Sequence, residues 1–408
     1  MAPFEPFAHY LAYGATDQQT LRDLRRSYSG VLVPGTIAAF QRQGTGGFVL
    51  SLSATPEAPP YMIDPRFPLF QQALSNPKKS HTALAELLDD AALVQQRRDP
   101  TPDAFTDERM AAIARKWVDF NCSYGSAENA KFEKYAKRLG EELTPEEAQG
   151  PEAVLAPYFA CEGSDDPWWP RSKRFLEHSQ ANAPASGPPC LRVVCARHSG
   201  ALDELLADVQ EPEQLVVWVS GLDEHQASTL ELVQFREAIT NAAARGHEPF
   251  ALYGGFFSVL LGTDGLRGAS HGIGFSEHRN WRELPESGAP PARYYLRRAH
   301  RYVPQDLAEA LYTVSPDITA CPCPHCDGRP PVALDYHELM KHSVWCRAEE
   351  IEHWYGVATD TAARLLDDEY DALSAQIGAA RTLAPRIAAR ADNSIEHLRQ
   401  WVDALRSS

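Results

Sequence analysis

No apolar run in this 408-residue chain approaches the ~20 consecutive residues that a membrane-spanning helix needs. The opening Met-Ala-Pro-Phe-Glu-Pro-Phe lacks the basic segment and apolar core of a secretory signal. A cytoplasmic protein with no membrane partner is therefore expected. Basic residues are in deficit, with 39 Lys and Arg against 55 Asp and Glu, for a formal charge of -16. That balance argues against broad, sequence-blind nucleic-acid binding, which needs an extended Lys/Arg surface to neutralise phosphates. One local basic patch on an acidic body remains compatible with it. Disulfide-scaffold spacing is also missing. Cys122, Cys161, Cys190, Cys195 and Cys346 are scattered and read as buried thiols of a reducing compartment. Internal repeats and low-complexity tracts are absent too.

What is present is a globular composition, 44% hydrophobic and 23% charged. Short apolar runs ending in Gly, Ser or an acidic residue recur along the first two-thirds. They are Gly30-Val-Leu-Val-Pro-Gly-Thr36, Gly47-Phe-Val-Leu-Ser-Leu-Ser53, Tyr61-Met-Ile-Asp64, Trp117-Val-Asp-Phe-Asn-Cys-Ser123 and Ala156-Pro-Tyr-Phe-Ala-Cys-Glu162. Leu191 to Ala196, Leu215 to Gly221, Phe250 to Gly255 and Ala269 to Phe275 follow. Helical patterns such as Ala201 to Val209 and Ser228 to Ala244 lie between them. Continuous apolar strands alternating with helices predict a parallel sheet buried on both faces. Nine runs for eight positions predict a TIM-like (β/α)8 barrel with one run off it; a doubly wound open sheet is the alternative.

Barrel function gathers at the C-terminal strand ends. Asp64, Asn121, Glu162, Asp223, His225, His271, Glu277 and His278 hold those positions. The barrel is expected over 1–284, a basic linker and metal-binding subdomain over 285–360, and helices packing on the barrel over 361–408. Pro285 to Pro291 reads as a linker. Helices are expected near Pro304 to Tyr312, Asp335 to Trp354, Asp360 to Ala379 and Leu383 to Leu405. Arg293, Arg297, Arg298 and Arg301, interleaved with tyrosines, form the densest basic-aromatic stretch and the candidate nucleic-acid patch, since Arg pairs with phosphate and Tyr stacks on bases.

Cys321-Pro-Cys-Pro-His-Cys-Asp-Gly328 has the form of a zinc knuckle. Cys323 and Cys326, three apart, can reach one ion, and the glycine permits the positive φ of the turn. Cys321 supplies a third thiolate. The residues leave the rest of the ligand set open. His342 and Cys346 share a helix face and would complete a finger with Cys323 and Cys326. His353 would instead complete a Cys3His site.

Three cysteines in Cys-x-Cys-x2-Cys, followed by a helical His after an α/β region, resemble the tRNA-guanine transglycosylase family. Glu349-Glu-Ile-Glu-His-Trp-Tyr355 is similar to the family's ligand-bearing helix, so the resemblance implies His353 as the fourth ligand of one structural Zn²⁺. Gly30-Val-Leu-Val-Pro-Gly-Thr36 resembles the family's first barrel strand, and Tyr61-Met-Ile-Asp64 the strand that presents an acid/base Asp. Phe120-Asn-Cys-Ser123 falls where a base-binding Asp stands, giving Asn121 that place. Val219-Ser-Gly-Leu-Asp-Glu224 resembles the strand whose backbone, here Gly221 and Leu222, contacts the purine. Glu162 and His271 are further substrate-contact candidates. The pattern breaks at the eighth strand, where the family's nucleophilic Asp is missing and no Asp follows Gly268 until Asp306. Glu277 is the nearest substitute.

The resemblance implies exchange of a guanine-type base for a 7-deazaguanine in tRNA or DNA, with Asp64 and Glu277 as catalytic carboxylates. It also implies pairing with a second copy or a catalytic subunit. The competing expectation is a non-catalytic, zinc-stabilised barrel that binds nucleic acid or such a partner.

Overall fold

The computed structural model describes residues 7–14, 16–126, 128–274, 277–282, 291–381 and 384–407. The linker expected from Pro285, the proposed boundary at 284/285 and the last residue of the run ending at Phe275 lie outside them.

Nine parallel strands form the main sheet: β1 (Ala8–Ala12), β2 (Gly30–Pro34), β3 (Tyr61–Asp64), β4 (Ala153–Leu155), β5 (Ala160–Cys161), β6 (Cys190–Ala196), β7 (Gln214–Val219), β8 (Glu248–Ala251) and β9 (Gly268–His271). β1 pairs with β9, and β4 pairs with β6, so the sheet closes on itself. β5 continues the position of β4, meeting β6 farther along at Ala160 opposite Cys195. The result is an eight-position parallel barrel wrapped by helices, as the alternation of apolar runs and helical patterns predicts.

Side-chain alternation separates two cores. Tyr10, Leu32, Met62, Val193, Val216, Trp218 and Phe250 fill the barrel interior. Their neighbours Leu11, Val31, Val33, Ile63, Val194, Val217 and Ala251 face the helix layer. This parity decides what each strand end can touch. Asp64 shares the inward parity of Met62. His271, paired with Leu11 in the β1–β9 register, shares the outward one.

Three strand expectations are corrected. Gly47 to Ser53 lies in the helix Arg42–Ser53, and Trp117 to Ser123 in the helix Asp107–Tyr124. Gly47 to Ser53 is buried on every side, whereas Trp117 to Ser123 keeps Asp119 and Ser123 exposed; over so few residues either helix segment looks like a strand. The spacing Met110, Ile113, Ala114, Trp117, Val118, Asn121 is helical once the longer window is taken. The third correction is order. Gly30–Pro34 is the second strand, because Ala8–Ala12 precedes it.

Beyond the barrel, β10 (Arg293–Leu296) and β11 (Arg301–Pro304) form an antiparallel hairpin. Helices Gln305–Val314, Tyr336–Trp354, Thr359–Ala380, Pro385–Asn393 and Glu396–Arg406 follow, so the expected final helix is two. The hairpin packs on Tyr336–Trp354, and the last helix packs on the barrel helix Thr229–Ala244. Arg236 donates to the carbonyls of Ala404, Leu405 and Ser407 and so caps that last helix from the barrel. Trp401 donates its indole N–H to the Glu224 carbonyl at 2.8 Å. No described helix is long and apolar enough to cross a membrane.

Candidate functional site

The cysteine cluster forms at the hairpin's outer edge. Cys321, Cys323, Cys326 and His342 present donor atoms that all lie within 4.8 Å of one another. The knuckle turn aims backbone N–H groups at sulfur, Cys323 N at Cys321 Sγ (3.4 Å) and Cys326 N at Cys323 Sγ (3.3 Å). It closes through Asp327 and Gly328, at φ +44° and +68°, as the glycine foretells. His342 is buried, its Nε2 faces the Tyr295 carbonyl at 2.7 Å, and its Nδ1 stands 3.2 Å from Cys323 Sγ. With the Nε2 proton given to that carbonyl, the Nδ1 lone pair points at the sulfurs, the orientation a ligating imidazole requires. Three thiolates and one such imidazole fit a soft divalent ion such as zinc in a closed tetrahedral site.

His353 is therefore corrected as the fourth ligand. It is exposed, and its Nδ1 turns back to the Glu349 carbonyl of its own helix. The site takes its three cysteines from one sequence reading and its histidine from the other. Cys346 stays beside it, its sulfur 3.7 Å from Cys321 Sγ and 3.6 Å from His342 Nδ1.

At the barrel mouth Asp64 is fully buried. Its Oδ1 accepts from the Tyr158 hydroxyl (2.8 Å) and the Arg66 backbone N–H (2.9 Å), and its Oδ2 accepts from the Tyr253 hydroxyl. Arg66 Nε donates to Tyr253 at 3.1 Å, and Arg66 and Arg279 both lie over the Tyr253 ring. Two of these residues carry backbone strain: Arg66 has φ +50° and Tyr253 φ +59°. Left-handed φ costs a non-glycine residue roughly 1–2 kcal/mol, so the surrounding contacts hold this mouth in place. Arg66 Nη2 and Arg279 Nε are buried with no partner among the described residues. Burial, with Arg66 close by, pulls Arg279 down to about 10. Burial also lifts the Asp17 carboxyl, which interacts with Arg279, to about 6. Arginine and tyrosine side chains thus gather around Asp64 at the mouth of an acidic protein. Arg66, Arg279, Tyr158 and Tyr253 were not all legible as its lining: the arginines are loop residues, outside the strand-end rule.

The remaining candidates do not converge there. Asn121 sits in mid-helix, its amide bonded to the Trp117 carbonyl. Glu162 is exposed at the rim, paired with Arg197 at 3.0 Å and His198 at 3.4 Å. Gly221, at φ +81°, gives its N–H to the Arg279 carbonyl, and Leu222 gives its own to Val219, so neither is free for a base. His271 faces outward, its Nδ1 on the Gly254 carbonyl (2.9 Å) and its ring edge-on to His9. Burial, reinforced by Arg347, keeps His271 neutral by holding its pKa well below the usual imidazole range.

Glu277 is buried in an ion pair with Arg347 at 2.7 Å, and burial raises its pKa. Arg347 also reaches Glu350, which holds His300 at 2.7 Å, and His300 reaches Glu369 at 2.8 Å. This knot ties the loop after β9 to the hairpin and two C-terminal helices. Of the expected basic patch, Arg293 and Arg301 line a cleft of ≈ 170 Å³ with Asp223, His225, Glu277 and His278. Arg297 lies over Trp345 instead, and Arg298 bonds Gln376 at 2.7 Å.

No protein-family model matches the chain, and no curated protein matches it.

Proposed function

We propose that this protein is a divergent transglycosylase-like barrel that seats a guanine-type base of tRNA or DNA at Asp64, with one structural zinc held by Cys321, Cys323, Cys326 and His342. The observation that carries the reading is the Asp64 carboxylate held by the Tyr158 and Tyr253 hydroxyls, with buried guanidinium N–H groups of Arg66 and Arg279 beside Tyr253 that have no partner among the described residues. A guanine offers N–H groups on one edge, which a carboxylate accepts, and O6 and N7 on another, which Arg recognises. Tyrosine faces suit a flat heterocycle. The closed Cys3His site has no open coordination position, so the zinc fastens the C-terminal helices and takes no part in chemistry.

In this reading Asp64 exchanges a proton with the departing and entering base. Glu277 is the candidate for the anomeric carbon. A carboxylate bound to Arg347 is a poor nucleophile, and that pair favours a second reading, a barrel that binds the base without exchanging it. Incubation with labelled guanine or a 7-deazaguanine and either polymer separates the two. Label incorporation, lost in Asp64→Asn and Glu277→Gln, supports exchange. Base binding with no incorporation supports the second reading, and absence of both rejects the proposal.

A further inference from the structure

Asp223, His225 and His278 bring three metal-ligating atoms together, apart from the Asp64 cluster and far in sequence from the cysteine cluster. Asp223 Oδ1 lies 3.5 Å from His225 Nδ1 and 3.3 Å from His278 Nδ1. Good N–H···O bonds are shorter, about 2.7–3.2 Å. Ligands standing about 2.05 Å from a tetrahedral ion are separated by roughly 3.3–3.4 Å, close to the two separations from Asp223, and all three donor atoms lie within 4.8 Å of one another.

Two of the three donors are also oriented from behind. His225 Nε2 faces the His300 carbonyl at 3.2 Å, which places the ring proton there and leaves the Nδ1 lone pair for an ion. The Asp223 carboxylate is steadied by the His225 backbone N–H (3.0 Å) and by Gln226 (2.7 Å). The His278 ring sits against Glu224, whose backbone N–H donates to Nε2 at 3.4 Å and whose carboxylate stands 4.0 Å away, beyond hydrogen-bond reach. Glu224 is itself fixed by the Gly255 and Phe257 backbone N–H groups and the Ser258 hydroxyl.

All three ligands open onto the ≈ 170 Å³ cleft that Arg293 and Arg301 line. Arg301 Nε is buried with no partner among the described residues.

We propose that Asp223, His225 and His278 form a second metal site, for a divalent ion of the zinc, cobalt or manganese class, whose open positions take a phosphate-type anion cradled by Arg293 and Arg301. Three protein ligands of mixed N and O type with open positions are the composition of a reactive rather than a structural site. The assignment is independent of the base-exchange reading. The competing state is a metal-free cluster in which His278 is an imidazolium between Asp223 and Glu224.

Cobalt titration of the full chain after removal of bound metal distinguishes them. Two equivalents are expected: one with thiolate-to-cobalt charge-transfer absorption from the cysteine site, one with ligand-field bands alone. Asp223→Asn and His278→Gln should each lose the second equivalent and keep the first, with an unchanged circular dichroism spectrum. Cys326→Ser should show the reverse. If a single variant fails to fold, His225→Ala replaces it. Inorganic phosphate should shift the ligand-field bands of the wild type and leave those of Arg301→Gln unmoved. A wild type that binds one equivalent, or folded variants that still bind two, overturn the site. Ligand-field bands indifferent to phosphate in the wild type overturn the anion.

Discussion

At the scale of single residues, one knot of buried charge joins Arg347 to His300 through Glu350, and either end can be tested by removing a member. Arg347 is enclosed between Glu277 and Glu350 and lies over the Tyr295 ring. Arg347→Met strands the buried Glu277 carboxylate, a loss that ordinarily costs about 3–5 kcal/mol, while Glu350 keeps His300 and Tyr295. Chemical denaturation should show it, and adding Glu277→Gln to that variant should recover part of the stability. His300, stacked on Phe256 at 3.7 Å and held by Glu350 and Glu369, has its pKa raised from 6.5 to about 9; burial opposes the charge, and the two carboxylates outweigh it. Because the folded-state value lies above the unfolded one, the contribution is complete below about pH 6.5 and disappears as pH rises through about 9. It amounts to at most roughly 3 kcal/mol. Melting temperature against pH should fall across that window in the wild type and much less in His300→Gln.

At the scale of elements, the helix Tyr336–Trp354 carries the ligand that closes the metal cluster, and its start is fixed by a capping box in which Asp335 and Glu338 exchange bonds at 2.8 Å. Asp335→Ala should cost about 1 kcal/mol in thermal or denaturant unfolding. His342→Ala should lose the cysteine-bound metal on elemental analysis, whereas His353→Ala should keep it; the opposite pair of results contradicts the geometry. The knuckle was legible because its local turn chemistry is written in consecutive residues. The fourth ligand was not, since His342 and His353 lie on one helix, and only the hairpin carbonyl of Tyr295 decides which imidazole turns inward. The strands from Cys190 to His271 were legible as apolar runs bounded by turns. Gly47 to Ser53 carries no amphipathic contrast because every side of it is buried, and Trp117 to Ser123 shows its helical period only in the window that starts at Asp107. His271 shows a related limit: its place at a strand end was evident, yet its outward direction depends on register with β1.

At the scale of the whole molecule, an acidic body of net charge -16 carries a buried pair of arginines at the mouth of its barrel. That contrast favours a ligand with acceptor atoms or local negative charge over indiscriminate polymer binding. The C-terminal helices are fastened to the barrel by Arg236, by Trp401 and by the knot around Arg347, so metal removal should loosen one edge and leave the barrel folded. Hydrogen exchange after chelation should rise in residues 321–346 and stay low in the barrel strands. Recognition of a guanine-type base by Asp64 and its cationic surround can be measured by calorimetric titration of guanine and 7-deazaguanine into the wild type and into Asp64→Asn. Saturable one-to-one binding is expected, weakening roughly 10–100-fold in the variant, the worth of a hydrogen bond to a charged group. No binding of either base to the wild type, or equal binding to both proteins, would contradict it.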